Sequence, residues 1–194
     1  PRPSPEREQL CALMDRLNHL TEMRAREKNR LANSPSSIHA SIRKMLRFIQ
    51  AQVKEIKVQI RELIRSNQRL NEQAQLMQAV VGVGENTAWS ILAYLSEITQ
   101  LNRNQLVALA GVAPYNRDSG KTKGKRKIQG GRQKLRDVLF MAAKTAATHN
   151  SHIKPYYEGI RARGKPYKWA LTAVMRKLLI HLQVILKNYE ASLA

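Results

Sequence analysis

The chain has 194 residues, of which 43% are hydrophobic, so one medium domain or two small ones can form a core. Its 34 Lys or Arg residues outnumber 14 Asp or Glu, and the net charge of +20 indicates a polyanionic partner, first nucleic acid and second an anionic membrane surface. The single cysteine excludes an intrachain disulfide and a cysteine-based zinc cluster, and no apolar run approaches the roughly 20 residues of a membrane span.

The aromatic content and the cysteine count give expectations about the binding site and the cellular compartment. Aromatic residues make up only 5% of the chain, so we expect no large stacking platform for bases. No signal peptide is visible, and a lone cysteine, Cys11, is typical of a reducing compartment. We therefore expect a cytoplasmic protein without a membrane-spanning segment.

The first predicted elements are two helices. One runs from Glu6 to about Leu31, with leucines on one face, and Pro35 breaks the pattern. In the second, apolar residues recur at alternating spacings of four and three, which predicts a heptad seam of about five repeats. The seam positions are Ile42, Leu46, Ile49, Val53, Ile56, Ile60, Leu63, Asn67, Leu70, Ala74 and Met77.

Two arrangements of this seam stay open. It can pack on the first helix as an intrachain hairpin, or it can pair with a second chain as a coiled coil, which would make the protein a homo-oligomer. The seam outruns the apolar face of the first helix, which favours the second arrangement. Asn67 is the lone polar residue in the seam, and a buried Asn at such a position fixes register and strand number at some cost in stability. On this interpretation Asn67→Leu changes the oligomeric state or raises the thermal stability.

The composition changes near Ala79, since no glycine lies before Gly82. We predict a helical hairpin or coiled-coil region over residues 1–78 and a compact helical domain over residues 79–194, so the fold class is all-α. The second region reads as five helices joined by short connections, and residues 115–128 show no helical period and read as a loop or short hairpin. The predicted helices cover about 85–96, 103–110, 130–149, 153–163 and 166–190.

A glycine turn opens the second region, in the sequence VVGVGENTAWSILAYL. Gly82 and Gly84 precede a helix and resemble a helix-hairpin-helix module, in which glycines admit a phosphate to the unpaired N–H groups of the helix start. Such a contact binds the nucleic-acid backbone without reading its sequence. The alternative is a tight helix–helix turn with glycine in the left-handed region.

A basic segment follows the next helix. Nine of the 22 residues from Tyr115 onward are Lys or Arg, and Ser119-Gly120 lies within the run. A loop serine becomes a nucleophile only when its proton is removed and the charge at phosphorus is stabilised, and the clustered cations meet the second need. Without further information an inert serine and a solvated basic loop stay open. The candidate phosphate-binding residues here are Arg117, Gly120, Lys121, Lys123, Lys125, Arg126, Lys127, Arg132 and Lys134.

Other candidates carry weaker signals. The turn RARGKPYKWAL offers Arg163 and Lys165 as phosphate contacts or forms a plain charged turn. Tyr115, Tyr156 and Tyr157 lack the Arg and His set of a tyrosine recombinase, and His149 with His152 lacks the further ligands of a metal site, so no metal is expected in this chain. Trp89 and Trp169 are interpreted as core residues.

The order of motifs resembles a known family. GVGENTAWSILAYLSEI, NQLVALAGVAP, DSGKTKGKRKI, GGRQKLRDVLFMAA and RGKPYKWALTAVMRKLL follow one another at short spacings. The series is similar to the C-terminal transposase domain of the insertion-sequence transposases related to the Piv DNA invertase, the IS-one-ten group of bridge-RNA-guided recombinases. The resemblance covers about residues 79–190, and residues 6–78 resemble the coiled-coil region before that domain.

The resemblance implies a reaction that the residues alone do not. It places the serine that attacks a DNA phosphate, and forms a covalent phosphoserine, at Ser119. It also implies DNA and a guide RNA as partners, a bacterial nucleoid location, and a RuvC-like domain whose carboxylates bind Mg²⁺, which we expect to be missing here. The leading hypothesis is therefore a fragment of a DNA transposase. The alternatives are a non-catalytic architectural or RNA-binding protein and, less favoured, a membrane-surface protein.

Overall fold

The structure is a computed structural model that describes residues 4–115, 127–128 and 130–193. Within these residues the fold is helical apart from one antiparallel pair of two-residue strands, so the predicted all-α class is confirmed. The elements are α1 (Pro5–Asn33), α2 (His39–Ser66), α3 (Gln68–Gln78), α4 (Glu85–Tyr94), α5 (Arg103–Leu109), β1 (Pro114–Tyr115), β2 (Lys127–Ile128), α6 (Gln133–His149), α7 (Lys154–Ala162) and α8 (Tyr167–Ser192).

The chain divides into two compact units, Pro1–Asn71 and Glu72–Ala194. The boundary that the composition predicts, between residues 78 and 79, stays a prediction. The helix α3 begins in the first unit and ends in the second.

The first unit is a hairpin of two long helices. Pro5 stands in the first turn of α1, where a missing N–H costs nothing, and Glu6 and Glu8 place negative charge at the positive end of the helix dipole. The chain between the helices is a single 3-10 turn at Ser36–Ile38. The two helices pack on each other through one apolar face each, which is the intrachain alternative. The buried residues are Leu10, Met14, Leu17 and Leu20 of α1 and Ile42, Ile49, Val53, Ile60 and Ile64 of α2.

The predicted continuity of the seam through Asn67 is wrong. The helix α2 ends at Ser66, and Asn67 is extended, with φ −113° and ψ 107°. The backbone N–H of Leu70 donates to the Asn67 side-chain oxygen over 3.0 Å. Asn67 therefore caps the start of α3, which is the position where a short polar side chain satisfies an otherwise unpaired donor. Periodicity alone cannot separate a helix that continues from one that restarts in register.

This geometry reverses the effect expected for substitutions at Asn67. Asn67→Ala or Asn67→Leu removes the acceptor for Leu70, and we expect the free energy of unfolding to fall by about 1 kcal/mol. Asn67→Asp retains an acceptor oxygen and should stay close to the parent. Thermal unfolding followed by far-ultraviolet circular dichroism measures both, and a rise in melting temperature for Asn67→Leu would restore the coiled-coil interpretation.

The second unit is built around α8. Val174, Leu178 and Leu182 of this helix are fully buried, and α5, α6 and α7 all pack against it. The buried Gln183 donates from its side-chain nitrogen to the carbonyls of Ile98 and Leu101, each over 2.8 Å, and so ties α8 to the turn between α4 and α5. These contacts fix the positions of the connections that carry the candidate site.

The helix α8 is also long and apolar enough to cross a membrane by length and composition alone. Its most apolar 18-residue window has a mean hydropathy of 1.4, and half of that window is buried inside the protein. A core helix passes the same test, so this finding is weak support for a span. The expectation of no span counted uninterrupted apolar residues, whereas mean hydropathy tolerates isolated polar ones.

Candidate functional site

The basic segment leaves and rejoins the helical core at one strand pair. The strands β1 and β2 are antiparallel, with Pro114 opposite Ile128 and Tyr115 opposite Lys127. Residues 115–128 were predicted to be a loop or short hairpin, and the described ends form a hairpin. Residues 116–126 lie outside the described residues. They include Ser119, Gly120 and most of the cations predicted to bind phosphate, namely Arg117, Lys121, Lys123, Lys125 and Arg126.

Glycines close the root of this hairpin. Gly111 has φ +69° and Gly131 has φ +64°, both in the left-handed region. A Cβ added to Gly131 would lie 2.3 Å from the Gly111 backbone nitrogen, and one added to Gly111 would lie 2.4 Å from the Gly130 carbonyl oxygen. The two backbones therefore touch at a distance that only glycine permits. The Arg132 N–H also donates to the Leu109 carbonyl over 2.8 Å, which joins the chain before β1 to the chain after β2.

Arginine side chains reinforce the same root. Arg136 donates from Nη1 to the Gly130 carbonyl over 2.7 Å. Arg132 donates from Nη2 to Glu97 Oε1 over 2.6 Å and from Nη1 to the Tyr94 carbonyl. Arg132 was predicted to bind nucleic acid, and in the structure its guanidinium bonds within the fold. Lys134, predicted for the same role, is exposed, with its Nζ 5.1 Å from the centre of the Tyr94 ring.

Arg132 affects the pKa of the Glu97 carboxyl group. Burial raises the pKa of Glu97, but the hydrogen bond from Arg132, a backbone hydrogen bond, the charge of Arg132 and a bond from Ser96 together outweigh it. The net pKa is lower than the ordinary 4.5. A carboxyl whose pKa is lower when folded stabilises the fold above its unfolded pKa, and that contribution is lost as pH falls through the folded value.

We therefore expect Glu97→Gln to reduce the free energy of unfolding by about 1 kcal/mol at neutral pH. The deficit should disappear at an acidic pH below the folded pKa of Glu97, where the parent carboxyl is protonated too. Urea unfolding followed by tryptophan fluorescence measures it, because Trp89 and Trp169 both lie in the second unit. Glu158→Gln, at an exposed position of α7, is the control, and an equal loss at both pH values would show that charge is not involved.

The glycine turn before α4 has a structural explanation at its first position. Gly82 has φ +107°, and a Cβ there would lie 2.7 Å from the Ala146 Cβ of α6. Gly84 precedes α4 with φ −91° and has nothing within 4 Å of an added Cβ, so that position is open. Glu85 already places a carboxylate in the first turn of α4. Phosphate binding at Gly82 and Gly84 stays a prediction.

The turn between α7 and α8 presents cations and an aromatic ring to solvent. Arg163 and Lys165 are both exposed, as predicted for phosphate contacts. Trp89 is buried, as predicted, but Trp169 is 50% exposed, so its assignment to the core is wrong. The Lys165 Nζ lies 5.7 Å from the centre of the Trp169 ring.

Trp169 lines a groove of about 980 Å³, which we call the aromatic groove. Val112, Ile128 and Phe140 form one part of its lining, and Tyr156 of α7 another. The α8 residues that line it are Lys168, Trp169, Thr172, Ala173, Arg176, Lys177 and Ile180. Their spacing of three and four residues makes a second stripe on α8 beside the core stripe. This spacing is visible in the sequence and could have predicted the groove.

The remaining candidates do not form a further site among the described residues. No group of three or more His, Cys, Asp or Glu side chains that could hold a metal occurs in residues 4–115, 127–128 and 130–193. His149 and His152 therefore have no described acidic or cysteine partner set. Tyr156 is 37% exposed, and the Lys177 Nζ lies 4.3 Å from the centre of its ring.

Comparisons with known proteins agree with the motif series. Residues 74–158 match the sequence model of the Transposase IS116/IS110/IS902 family. The chain is 26% identical over 184 residues to the pilin gene-inverting proteins of Moraxella bovis and Moraxella lacunata, covering 92% of this chain and 57% of each relative. It is 25% identical over 150 residues to the insertion element IS110 43.6 kDa protein of Streptomyces coelicolor, covering 76% of this chain and 36% of that relative. The chain thus spans 57% of the length of the two pilin gene-inverting proteins and 36% of that of the IS110 protein.

Proposed function

We propose that this chain belongs to the IS116/IS110/IS902 transposase family, whose sequence model matches residues 74–158, and that it is the part of a DNA transposase that binds DNA and supplies Ser119 as the nucleophile. The family assignment was predicted from the motif series. The observation that carries the proposal is the hairpin root, because the segment with Ser119 begins and ends at backbones held in contact by Gly111 and Gly131.

The proposed step is a transfer of a phosphoryl group. The Ser119 hydroxyl oxygen forms a bond to phosphorus, the bond to one bridging DNA oxygen breaks, and that oxygen leaves with a proton while the serine proton passes to a base. Attack by a hydroxyl of another strand reverses the step and exchanges the strands. Lysines and arginines of the basic segment stabilise the charge that develops on the phosphate and attract the DNA through release of counterions.

Among the described residues, no group of three or more His, Cys, Asp or Glu side chains is placed to hold a divalent metal. We propose that the Mg²⁺ that the resemblance implies is bound by another part of the whole protein. There it would supply a Lewis acid that polarises the phosphate attacked by Ser119.

Guide RNA and self-association belong to the same proposal. RNA and DNA would share the positive surface of a chain with a net charge of +20, in the bacterial cytoplasm at the nucleoid. Self-association is supported by α2, which leaves Phe48 61% and Met45 46% exposed on the face away from α1. A mass of one chain by light scattering would contradict self-association.

The competing function is an architectural nucleic-acid-binding protein without catalysis. Salt dependence does not distinguish the two functions, since both predict a steep loss of affinity with salt. A covalent protein–DNA adduct distinguishes them, because only the catalytic function forms one. We expect full-length protein incubated with DNA carrying the element ends to yield a denaturant-resistant protein–DNA species that maps to Ser119. Binding without such a species would favour the architectural function.

A further inference from the structure

The aromatic groove is apolar at its base and positive at its edge. Val112, Phe140 and Ile180 contribute hydrocarbon, whereas Lys168, Arg176 and Lys177 contribute cations. None of the described lining residues is acidic. An apolar peptide needs no such cations, so the charge points to an occupant that is flat and apolar on one part and anionic on another.

Two of the three aromatic rings that line the groove are exposed. Trp169 is 50% exposed and Tyr156 is 37% exposed, although large aromatic rings usually lie in the core. An ammonium stands near each ring, with Lys177 Nζ 4.3 Å from the Tyr156 ring centre and Lys165 Nζ 5.7 Å from that of Trp169. Because each ring stays partly exposed beside its ammonium, it can offer surface to a base. An ammonium beside the ring could also contact the phosphate that flanks such a base.

The groove also adjoins the root of the basic hairpin. Ile128 of β2 lines it, and Val112 lies two residues before β1. A nucleotide in the groove would therefore lie next to the strands from which the Ser119 segment begins and ends. Bases within a duplex stack on each other and expose only their edges, so only an unpaired base can present its face to Trp169.

We propose that the aromatic groove binds an unpaired nucleotide of single-stranded nucleic acid, with its base stacked on Trp169 and its flanking phosphates on Lys168 and Arg176. This inference rests on the proposed function and adds a base-stacking subsite to it. The low aromatic content of the sequence predicted no large stacking surface. A percentage of aromatic residues does not tell how many of them are exposed to solvent. Two exposed rings at one groove suffice.

The first test compares the affinities of the protein for three oligonucleotides of equal length: single-stranded oligothymidylate, an abasic strand and a duplex. We expect Trp169→Ala to weaken binding of the single strand by about 5- to 150-fold and Trp169→Phe to recover most of it. Binding of the abasic strand and the duplex should change less than about twofold, since phosphate contacts remain. Val184→Ala is the control, because Val184 is 41% exposed on the same helix and does not line the groove.

The second test measures the fluorescence of Trp169. Trp89→Phe leaves Trp169 as the only tryptophan, since the chain has two. We expect its fluorescence to be quenched by the single strand and to stay unchanged with the abasic strand and the duplex. Quenching by all three to the same extent would overturn stacking.

The remaining outcomes separate this inference from the proposed function. If all three oligonucleotides bind and Trp169→Ala changes none of them, the groove has no stacking role and the proposed function stands. If neither the single strand nor the duplex binds, the proposed function fails as well. If Trp169→Ala lowers the mass measured by light scattering and leaves every affinity unchanged, a second copy of the chain covers the groove and the inference is overturned.

Discussion

Replacing Ser119 with alanine in the full-length protein is expected to abolish strand cleavage and exchange, with a loss of about four orders of magnitude or more. The substitution removes the oxygen that would bond to phosphorus, and water cannot conserve the energy of the phosphodiester for rejoining. DNA affinity should change less than about twofold, because it arises from phosphate contacts by the surrounding cations. A recombination assay on paired element ends and a binding assay on the same DNA measure the two effects.

Thr122→Ala is the matched control, since it removes a hydroxyl three residues further along the same segment. It should retain recombination within about tenfold, because the loss of one hydrogen bond costs about 0.5–1.5 kcal/mol. Full recombination by Ser119→Ala would exclude that serine as the nucleophile. Loss of activity in Thr122→Ala alone would move the assignment to the threonine.

The second large effect is expected at the hairpin root. Gly131→Ala would force a side chain into the left-handed region and place its Cβ 2.3 Å from the Gly111 nitrogen and 2.7 Å from the Leu109 carbonyl oxygen. Backbone strain of about 1–2 kcal/mol and a steric conflict of about 1–3 kcal/mol add to a loss of about 2–5 kcal/mol. Because these neighbours are backbone atoms, no rotamer change can relieve the conflict. Urea unfolding followed by tryptophan fluorescence reports the second unit.

Gly130 supplies the control for this prediction. It has φ +71°, close to that of Gly131, yet nothing lies within 4 Å of its added Cβ. Gly130→Ala should therefore cost only the strain, about 1–2 kcal/mol. Equal losses for the two variants would show that the close approach of the two backbones contributes nothing to stability.

The sequence patterns predicted the helices well where one apolar face controls the fold. The helices α4 to α8 begin and end close to the residues that the sequence indicates, although α4 buries every residue from Thr87 to Ala93 rather than one stripe. The pattern failed at Asn67, since a helix that stops and restarts can keep its apolar residues in step. The polar cap at that position looks the same as a polar residue inside a seam.

The site was predicted in part. The cations and glycines around the hairpin are evident in the sequence. The sequence does not show which of them bond within the fold and which are exposed. Arg132 lies 35 residues from Glu97 along the chain, so no local pattern pairs them. Trp169 lies beside the core stripe of α8, and its exposure depends on how closely α6 and α7 approach, which the helical period does not report.

The contact between Gly111 and Gly131 at the hairpin root has a consequence for protein engineering. Contact of Gly111 with Gly131 anchors both ends of the hairpin independently of what lies between Tyr115 and Lys127. We therefore expect that the stretch between the strands can be exchanged for the matching stretch of a relative while the helical scaffold stays folded. Chimeras of this kind would let substrate preference be transplanted without redesigning the scaffold.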